Sequence, residues 1–295
     1  MRVLIIGARG QLGVELCRAF YDHELYKADL DGGNLILDIT DLKAVQALIG
    51  PLSPDLVINT AAAHNVPLCE ERPEWAYQVN AEGAKNMAIA CAAAGARLVH
   101  ISTDYVFGNG ATKPRVETDR PDPVNVYGAS KLEGEGLIAH HAFNYCIVRT
   151  AAMYGATPCR AKNGKNFIDL MLHLARTKGE VRVVTDEITT PTYSVALARQ
   201  IRLMAEKAKP GLYHATCQGH CSWYDFAKVI FDRTRTKVAL LPARSSDFPA
   251  AVKRPNYSVL ENANLKAQGL DIMPNWSSAL GEYLAQRSDG SVGSV

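Results

Sequence analysis

No stretch of the 295-residue sequence approaches the ~18 consecutive apolar residues that a membrane-spanning helix requires. Nor does charge of one sign accumulate: 32 Lys and Arg against 30 Asp and Glu leave a net charge of +2. That balance gives no electrostatic argument for a nucleic-acid polymer or an acidic membrane as partner. A disulfide framework is missing as well. The seven cysteines (Cys17, Cys69, Cys91, Cys146, Cys159, Cys217 and Cys221) are odd in number and scattered through apolar stretches, which suits reduced, buried thiols. Internal repeats are absent, and Met1-Arg2 leads into strand-like sequence rather than the basic and apolar regions of a secretory leader. A cytoplasmic globular protein is expected. What is present is apolar mass, 47% of the residues, enough to fill the core of one large domain or two.

The chain opens on RVLII and then Gly7-Ala8-Arg9-Gly10-Gln11-Leu12-Gly13, followed by a helical pattern through Phe20. A buried strand, a glycine turn and a helix in that order hold a pyrophosphate on backbone N–H groups at the helix N-terminus. The G-x-x-G-x-x-G spacing differs from G-x-G-x-x-G, but the same physics applies. A second strand over 25–30 (LYKADL) brings Asp29 or Asp31 to its end, where a carboxylate accepts from ribose hydroxyls and repels a 2′-phosphate. Arg9 pulls the other way, because a guanidinium pairs with phosphate. NADH and NADPH both stay open. The run 35–41 (LILDITD) reads as a further short strand, with Asp38 placed for an adenine amino group or for a turn, and Asp41 for a helix cap. Strand 55–62 (DLVINTAA) ends in Ala61 and Ala62, small enough for a flat cofactor to lie against the backbone. His64 follows as a rim residue, and 74–94 reads as one helix with Asn80 inside it.

The stretch from Val99 to Glu135 carries the chemistry. A strand ends at Ser102-Thr103-Asp104, and Tyr127-Gly128-Ala129-Ser130-Lys131 follows some two dozen residues later. Residues at i and i+4 share a helix face, so Lys131 is expected to stand beside Tyr127 and lower the phenol pKa from its usual ~10. Such a phenol exchanges a proton with a reacting oxygen near neutral pH. Read alone, Tyr-x-x-x-Lys is a common chance spacing. Its weight comes from position: the glycine loop, Asp38, Ala61-Ala62 and Thr103 all fall at the carboxyl ends of strands in an alternating β-α series. That alternation predicts a doubly wound parallel sheet, a Rossmann-type α/β fold, with ligands beyond those strand ends.

Beyond Ala152 the pattern is irregular. Asn166 precedes an amphipathic helix and suits a sugar hydroxyl or an N-cap. Cys217-Gln218-Gly219-His220-Cys221 with His214 upstream imitates a metal site but lacks a second ligand pair, so loop packing is preferred and no metal is expected. Arg254, in KRPNYSVL, can bond a diphosphate bidentately. A last helix spans 276–284.

Taken together, the sequence resembles the extended short-chain dehydrogenases/reductases over nearly its whole length. Within them it is similar to the dTDP-4-dehydrorhamnose reductases, through GARGQLG, LDITD, VINTAA, VNAEGAKNMA, ISTDYVF, YGASKLEGE, TPTYSVALA, GLYHATCQGHCSWYDFA and KRPNYSVL in order. The resemblance implies NADPH- or NADH-dependent reduction of the C4 keto group of a nucleotide-linked 6-deoxyhexose. Thr103, Tyr127 and Lys131 would be catalytic, with Lys131 also bonding the nicotinamide ribose. Cofactor contacts would come from Gly7, Gly10, Gln11, Leu12, Gly13, Asp29, Asp38, Ile39, Ala61, Ala62, Ala63, Tyr127 and Lys131. Thr103, Asp104, Tyr105, Asn166 and Arg254 would meet the nucleotide-sugar substrate. It implies a cofactor domain over 1–151 with a returning segment near 186–205, a mainly substrate-binding part over 152–285 and a flexible tail over 286–295. It also admits a homodimer. The chain departs from the usual pattern at Ala63, Pro67, Ala152 and Phe107-Gly108-Asn109, the first three around the sugar pocket. Another ketosugar reductase, or a non-catalytic regulatory subunit like that of methionine adenosyltransferase, therefore stays in view.

Overall fold

Aliphatic side chains followed by a glycine make strand β1 (Arg2–Ile6), buried on both faces from Val3 onward, as a central parallel strand requires. The computed structural model describes residues 1–32, 34–160, 164–248 and 252–288. After β1 come α1 (Gln11–Ala19), β2 (Glu24–Asp29), β3 (Leu35–Ile36), α2 (Leu42–Leu52), β4 (Leu56–Asn59), α3 (Val66–Glu71) and α4 (Pro73–Tyr77). A π-helical turn over Gln78–Glu82 leads into α5 (Gly83–Ala94), β5 (Arg97–Thr103), α6 (Val126–His141) and β6 (Tyr145–Thr150). The later part contributes β7 (Met153–Tyr154), α7 (Phe167–Lys178), β8 (Glu180–Val184), β9 (Ile188–Thr189), β10 (Thr192–Tyr193) and α8 (Ser194–Lys207). It ends with β11 (Gly211–His214), β12 (Cys221–Ser222), α9 (Trp223–Thr234), β13 (Ala239–Ala243), α10 (Ala263–Ala267) and α11 (Trp276–Ser288).

Seven strands form one parallel sheet in the order β11-β6-β5-β4-β1-β2-β3. The expected doubly wound α/β sheet is present, and its strand order reverses between β1 and β4. Beyond the carboxyl ends of strands at such a switch point lies the crevice in which this architecture binds ligands. One face packs Leu4, Ile6, Val57 and Leu98 against Val45 and Ile49 of α2, Met87 of α5 and Ile138 of α6. The other packs Val3, Ile5, Ile58 and Val99 against Leu12 and Leu16 of α1 and Leu197 and Ile201 of α8. This second core continues without a break into α7, α9 and α11 through Ile168, Phe226 and Tyr283. Residues after 151 thus return to the sheet twice, as α8 against α1 and as β11 beside β6.

Local chemistry changes three elements from their sequence reading. The strand expected over 35–41 stops at Ile36, because Asp38 accepts from the Thr40 N–H (2.9 Å) and hydroxyl (2.8 Å) and Asp41 caps α2. Side-chain bonds to nearby backbone compete with a strand ladder in this way. The helix expected over 74–94 is broken by the π-helical turn around buried Asn80, the kind of bulge that re-aims a side chain. The last helix runs on to Ser288, so three residues assigned to the tail are helical and 289–295 lie outside the described residues. All seven cysteines are free thiols, and among the described residues no helix is long and apolar enough to cross a membrane.

The glycine turn leaves no room for side chains. Gly7 has φ +75°, and a methyl at Gly13 would stand 2.1 Å from the Gly7 carbonyl oxygen and 2.8 Å from Ala8 Cα. Backbone cannot yield as a flexible side chain can, and overpacking costs about 1–3 kcal/mol or more. Gly13→Ala is expected to lower the thermal unfolding midpoint. Gly50→Ala, whose methyl would meet nothing within 4 Å, is expected to leave it unchanged or raise it.

Candidate active site

At the first crevice wall, Gly10 is the N-cap of α1 in extended backbone with no side-chain capping bond. The first-turn amides, with the positive end of the helix dipole, are therefore left for an anion. Gln11 and Leu12 offer that loop backbone only: the Gln11 amide donates to the carbonyls of Gly155 and Thr157, and Leu12 lies in the core. The end of β4 is tied to the same loop by the Thr60 hydroxyl, which donates to the Ile6 carbonyl at 2.8 Å. Ala61 and Ala62 follow, half-buried. Ala63 differs from its expected place. It is buried against Cys69 and Ala76, and Asn80 bonds both its N–H (2.9 Å) and its carbonyl (3.0 Å). Pro67 lies in the first turn of α3.

At the end of β2, Asp29 is buried and already engaged. It accepts from the Arg9 N–H at 2.9 Å, from the Leu30 N–H and from the Arg160 guanidinium at 2.9 Å. Exposed Asp31 is paired with Arg9 at 2.8 Å and doubly with Arg160 at 2.6 and 2.7 Å. Arg160 enters from the loop after β7. Nothing in its aperiodic surroundings (TPCRAKNGK) marked it, since only the fold brings that loop across to β2. Asp38 is exposed and holds its own turn, while Ile39 is buried against α5, its carbonyl taken by the Asn86 amide at 2.9 Å.

The end of β5 and the start of α6 form the opposite wall. Asn125 caps α6, accepting from the Gly128 N–H at 2.9 Å and donating to the Lys253 carbonyl at 2.9 Å. Gly128 lets the first turn close on β5: a methyl there would stand 2.0 Å from the Tyr105 carbonyl oxygen. The Tyr105 and Tyr127 rings meet edge to face at 5.8 Å. Thr103 is buried, accepts from the Tyr105 N–H and donates to Asp104, both at 3.1 Å. Burial pushes the Asp104 carboxyl up to about 6, and bonds from Ser258 and Thr103 oppose that rise.

Tyr127 and Lys131 share a helix face, yet the lysine does not act on the phenol as expected. Lys131 Nζ lies 3.0 Å from His100 Nε2 and donates to the Ile101 carbonyl at 2.7 Å; among the described residues it makes no hydrogen bond to Tyr127. Burial pushes the Tyr127 phenol up, hydrogen bonding with Thr103 opposes this, and Asp104 adds to the rise. Burial also pushes Lys131 down to about 8, with Glu135 acting against it. The i,i+4 spacing sets the face, whereas a four-carbon side chain ends where its best acceptors lie.

Beneath these groups Glu135 accepts from the Ser102 hydroxyl and pairs with Arg149, both carriers buried. Asn80 donates to the Ser130 hydroxyl at 3.0 Å, tying the loop after β4 to α6. From the C-terminal part, exposed Arg254 acts electrostatically on Tyr105 and Glu187, and the Asn256 N–H donates to Asn109 at 2.9 Å. Asn166, which suited a sugar hydroxyl or an N-cap, caps α7: it accepts from the Asp169 N–H and donates to the Gly155 carbonyl and the Tyr283 hydroxyl. Ala152 adopts φ +42°, an uncommon conformation for a residue with a Cβ. His64 sits on the rim, its Nε2 3.9 Å from Cys159 Sγ. Cys217, Cys221 and His214 are buried, and among the described residues no three His, Cys, Asp or Glu side chains gather to hold a metal.

Comparison with known proteins agrees with this architecture. The chain is 40% identical to the spore coat polysaccharide biosynthesis protein SpsK of Bacillus subtilis, over 97% of this chain and 98% of that one. A dTDP-4-dehydrorhamnose reductase structure from Clostridium acetobutylicum superposes with a TM-score of 0.91 at 40% identity, covering 98% of this chain and all of that one. The same enzyme of Bacillus anthracis, in complex with NADP, gives 0.90 at 37% identity, covering 97% and 99%. The pattern of the RmlD substrate binding domain matches residues 1–288, and the chain belongs to that family.

Proposed function

We propose that the protein is an NADPH- or NADH-dependent reductase of a nucleotide-linked 4-keto-6-deoxyhexose, converting dTDP-4-dehydro-L-rhamnose to dTDP-L-rhamnose in the cytoplasm. The observation that carries this reading is the hydrogen bonding of Thr103 with the Tyr127 phenol, with Lys131 one turn on, at the sheet edge that also bears the glycine turn. The donor set fits a dinucleotide: an uncapped helix N-terminus for the pyrophosphate and two small residues, Ala61 and Ala62, beside it. When bound, the reduced nicotinamide supplies the hydride.

The chain's own residues manage the proton. Thr103 turns its single hydroxyl hydrogen from Asp104 to the keto oxygen and holds it by a hydrogen bond, where negative charge develops. Tyr127 donates: its phenolic O–H breaks as the O–H of the product alcohol forms. A reductive step needs the phenol protonated beforehand, and burial that raises its pKa secures this at neutral pH. Arg254 meets the diphosphate, and Asp104 and Tyr105 the sugar. Residues 152–285 act mainly on the substrate side. The test is loss of reduced-nicotinamide absorbance with freshly generated dTDP-4-dehydro-L-rhamnose. Turnover on the order of 1–10³ s⁻¹ supports the reading, and no turnover with this or any other nucleotide 4-ketosugar refutes it.

Arg9 and Arg160 bracket the β2 end and favour NADPH, since Asp29 is already engaged by three donors and Asp31 can yield its guanidinium partners to a 2′-phosphate. A hydrogen bond to a charged group is worth about 1.5–3 kcal/mol. Arg160→Ala is therefore expected to raise the KM for NADPH about tenfold or more while changing that for NADH much less. Equal changes for both cofactors would refute this.

A further inference from the structure

His100, the partner of Lys131, is buried, and so is Asn59 on its far side. Their hydrogen positions follow from a backbone group that cannot rotate. The Ala61 N–H donates to Asn59 Oδ1 at 3.1 Å, so the Asn59 amide nitrogen must face His100 Nδ1, which it does at 3.1 Å. A nitrogen that receives an amide N–H carries no proton itself, so in neutral His100 the proton sits on Nε2. That Nε2–H points at Lys131 Nζ, 3.0 Å away, while Nζ donates to the Ile101 carbonyl. An ammonium offers no lone pair to an N–H; a neutral amine does, and keeps N–H groups for the carbonyl.

We propose that Asn59 locks His100 in the Nε2–H tautomer, and that His100 thereby stabilises the neutral amine of Lys131, so that His100 sets how readily Lys131 gives up a proton toward Tyr127. This rests on the reading of Tyr127 as proton donor. When Tyr127 regains its proton after turnover, an N–H bond of the Lys131 ammonium breaks and the O–H bond of Tyr127 forms, the proton crossing hydroxyls between the two groups, which do not bond each other. His100 then holds the amine until solvent returns a proton to it. His100 loses nothing in the cycle and acts as a positioning residue.

The surroundings agree. Burial and the neighbouring lysine hold the His100 pKa well below its ordinary value, so the ring stays neutral, and Lys131 is itself pushed down to about 8. The charged and titratable groups near Lys131 are His100 from β5, Tyr127 and Glu135 on its own helix, Arg149 from β6, which pairs with Glu135, and, at the Tyr127 end, Asp104 and Tyr105 after β5 and Cys69 and Glu70 from α3. Asn59 from β4 and Asn80 from the π-helical turn are uncharged.

The test is nuclear magnetic resonance on the full-length protein labelled at histidine and lysine, with no variant needed for its first arm. His100 is expected to show a proton on Nε2 and none on Nδ1 across neutral pH, and Lys131 to titrate near 8. A proton on Nδ1 would overturn the proposal while leaving the reductase reading untouched. In Asn59→Asp the carboxylate can only accept, so the His100 proton is expected to move to Nδ1, with the Lys131 titration rising by about one pH unit or more. The alkaline limb of kcat should rise with it. A tautomer that switches while titration and limb stay in place would also overturn the proposal, because simple loss of packing lowers the rate at every pH without moving the limb. Failure of the reductase reading shows separately, as absence of ketosugar turnover with the tautomer unchanged.

Discussion

Tyr127→Phe is expected to bind reduced cofactor as tightly as the parent protein and to turn over dTDP-4-dehydro-L-rhamnose about 10²–10⁴-fold more slowly, the usual contribution of a positioned general acid. The ring keeps its edge-to-face contact with Tyr105 and its packing against the Ala63–Cys69–Ala76 cluster, so the fold should not notice the change. What disappears is the one O–H able to neutralise the alkoxide without drawing in water. Fluorescence titration with NADPH and single-turnover absorbance together separate binding from chemistry. Turnover above a tenth of the parent rate would remove Tyr127 from the mechanism.

Removing one partner of the Glu135–Arg149 pair is expected to have the largest effect on stability. Both groups are nearly inaccessible, at 6% and 3% exposure, and Arg149 meets both carboxylate oxygens, with contacts of 2.6–3.2 Å. Deleting one member leaves an uncompensated buried charge, which costs about 3–5 kcal/mol. A protein of marginal total stability, about 5–15 kcal/mol, loses much of its margin that way. Arg149→Met is therefore expected to shift the denaturant midpoint strongly downward. The double variant Glu135→Leu/Arg149→Met should recover most of the loss, since two well-packed apolar groups replace a buried pair at little cost. Equal damage from single and double variants would mean that packing around Phe107, against whose ring the Arg149 guanidinium lies at 5.1 Å, matters more than the charge.

Much of the architecture was legible because its signals are local. Five residues ending at a glycine, a helix period after them and the repetition of that unit suffice for a parallel sheet, since backbone hydrogen bonding and two-sided burial act on each strand alone. The glycine turn, Ala61 and Thr103 belong to that layer, and placing them on one edge follows from strand direction. The Tyr127–Lys131 pairing on one face follows from helix geometry in the same way. Signals that depend on competition left two readings each: Asp38 spends its carboxylate on its own turn, and Asn166 its amide oxygen on a helix end.

The remaining features arise from contacts between segments far apart in the chain, which no local pattern encodes. Arg160 crosses some 130 residues to meet Asp29, Ser258 reaches Asp104, and Lys131 finds His100 on the neighbouring strand rather than Tyr127 on its own helix. Short-range sterics and periodicity select the fold and the sheet edge. The protonation of the groups gathered there depends on burial and on partners that exist only once the layers have closed, so the raised phenol, the lowered lysine and the tautomer of His100 belong to the folded protein alone.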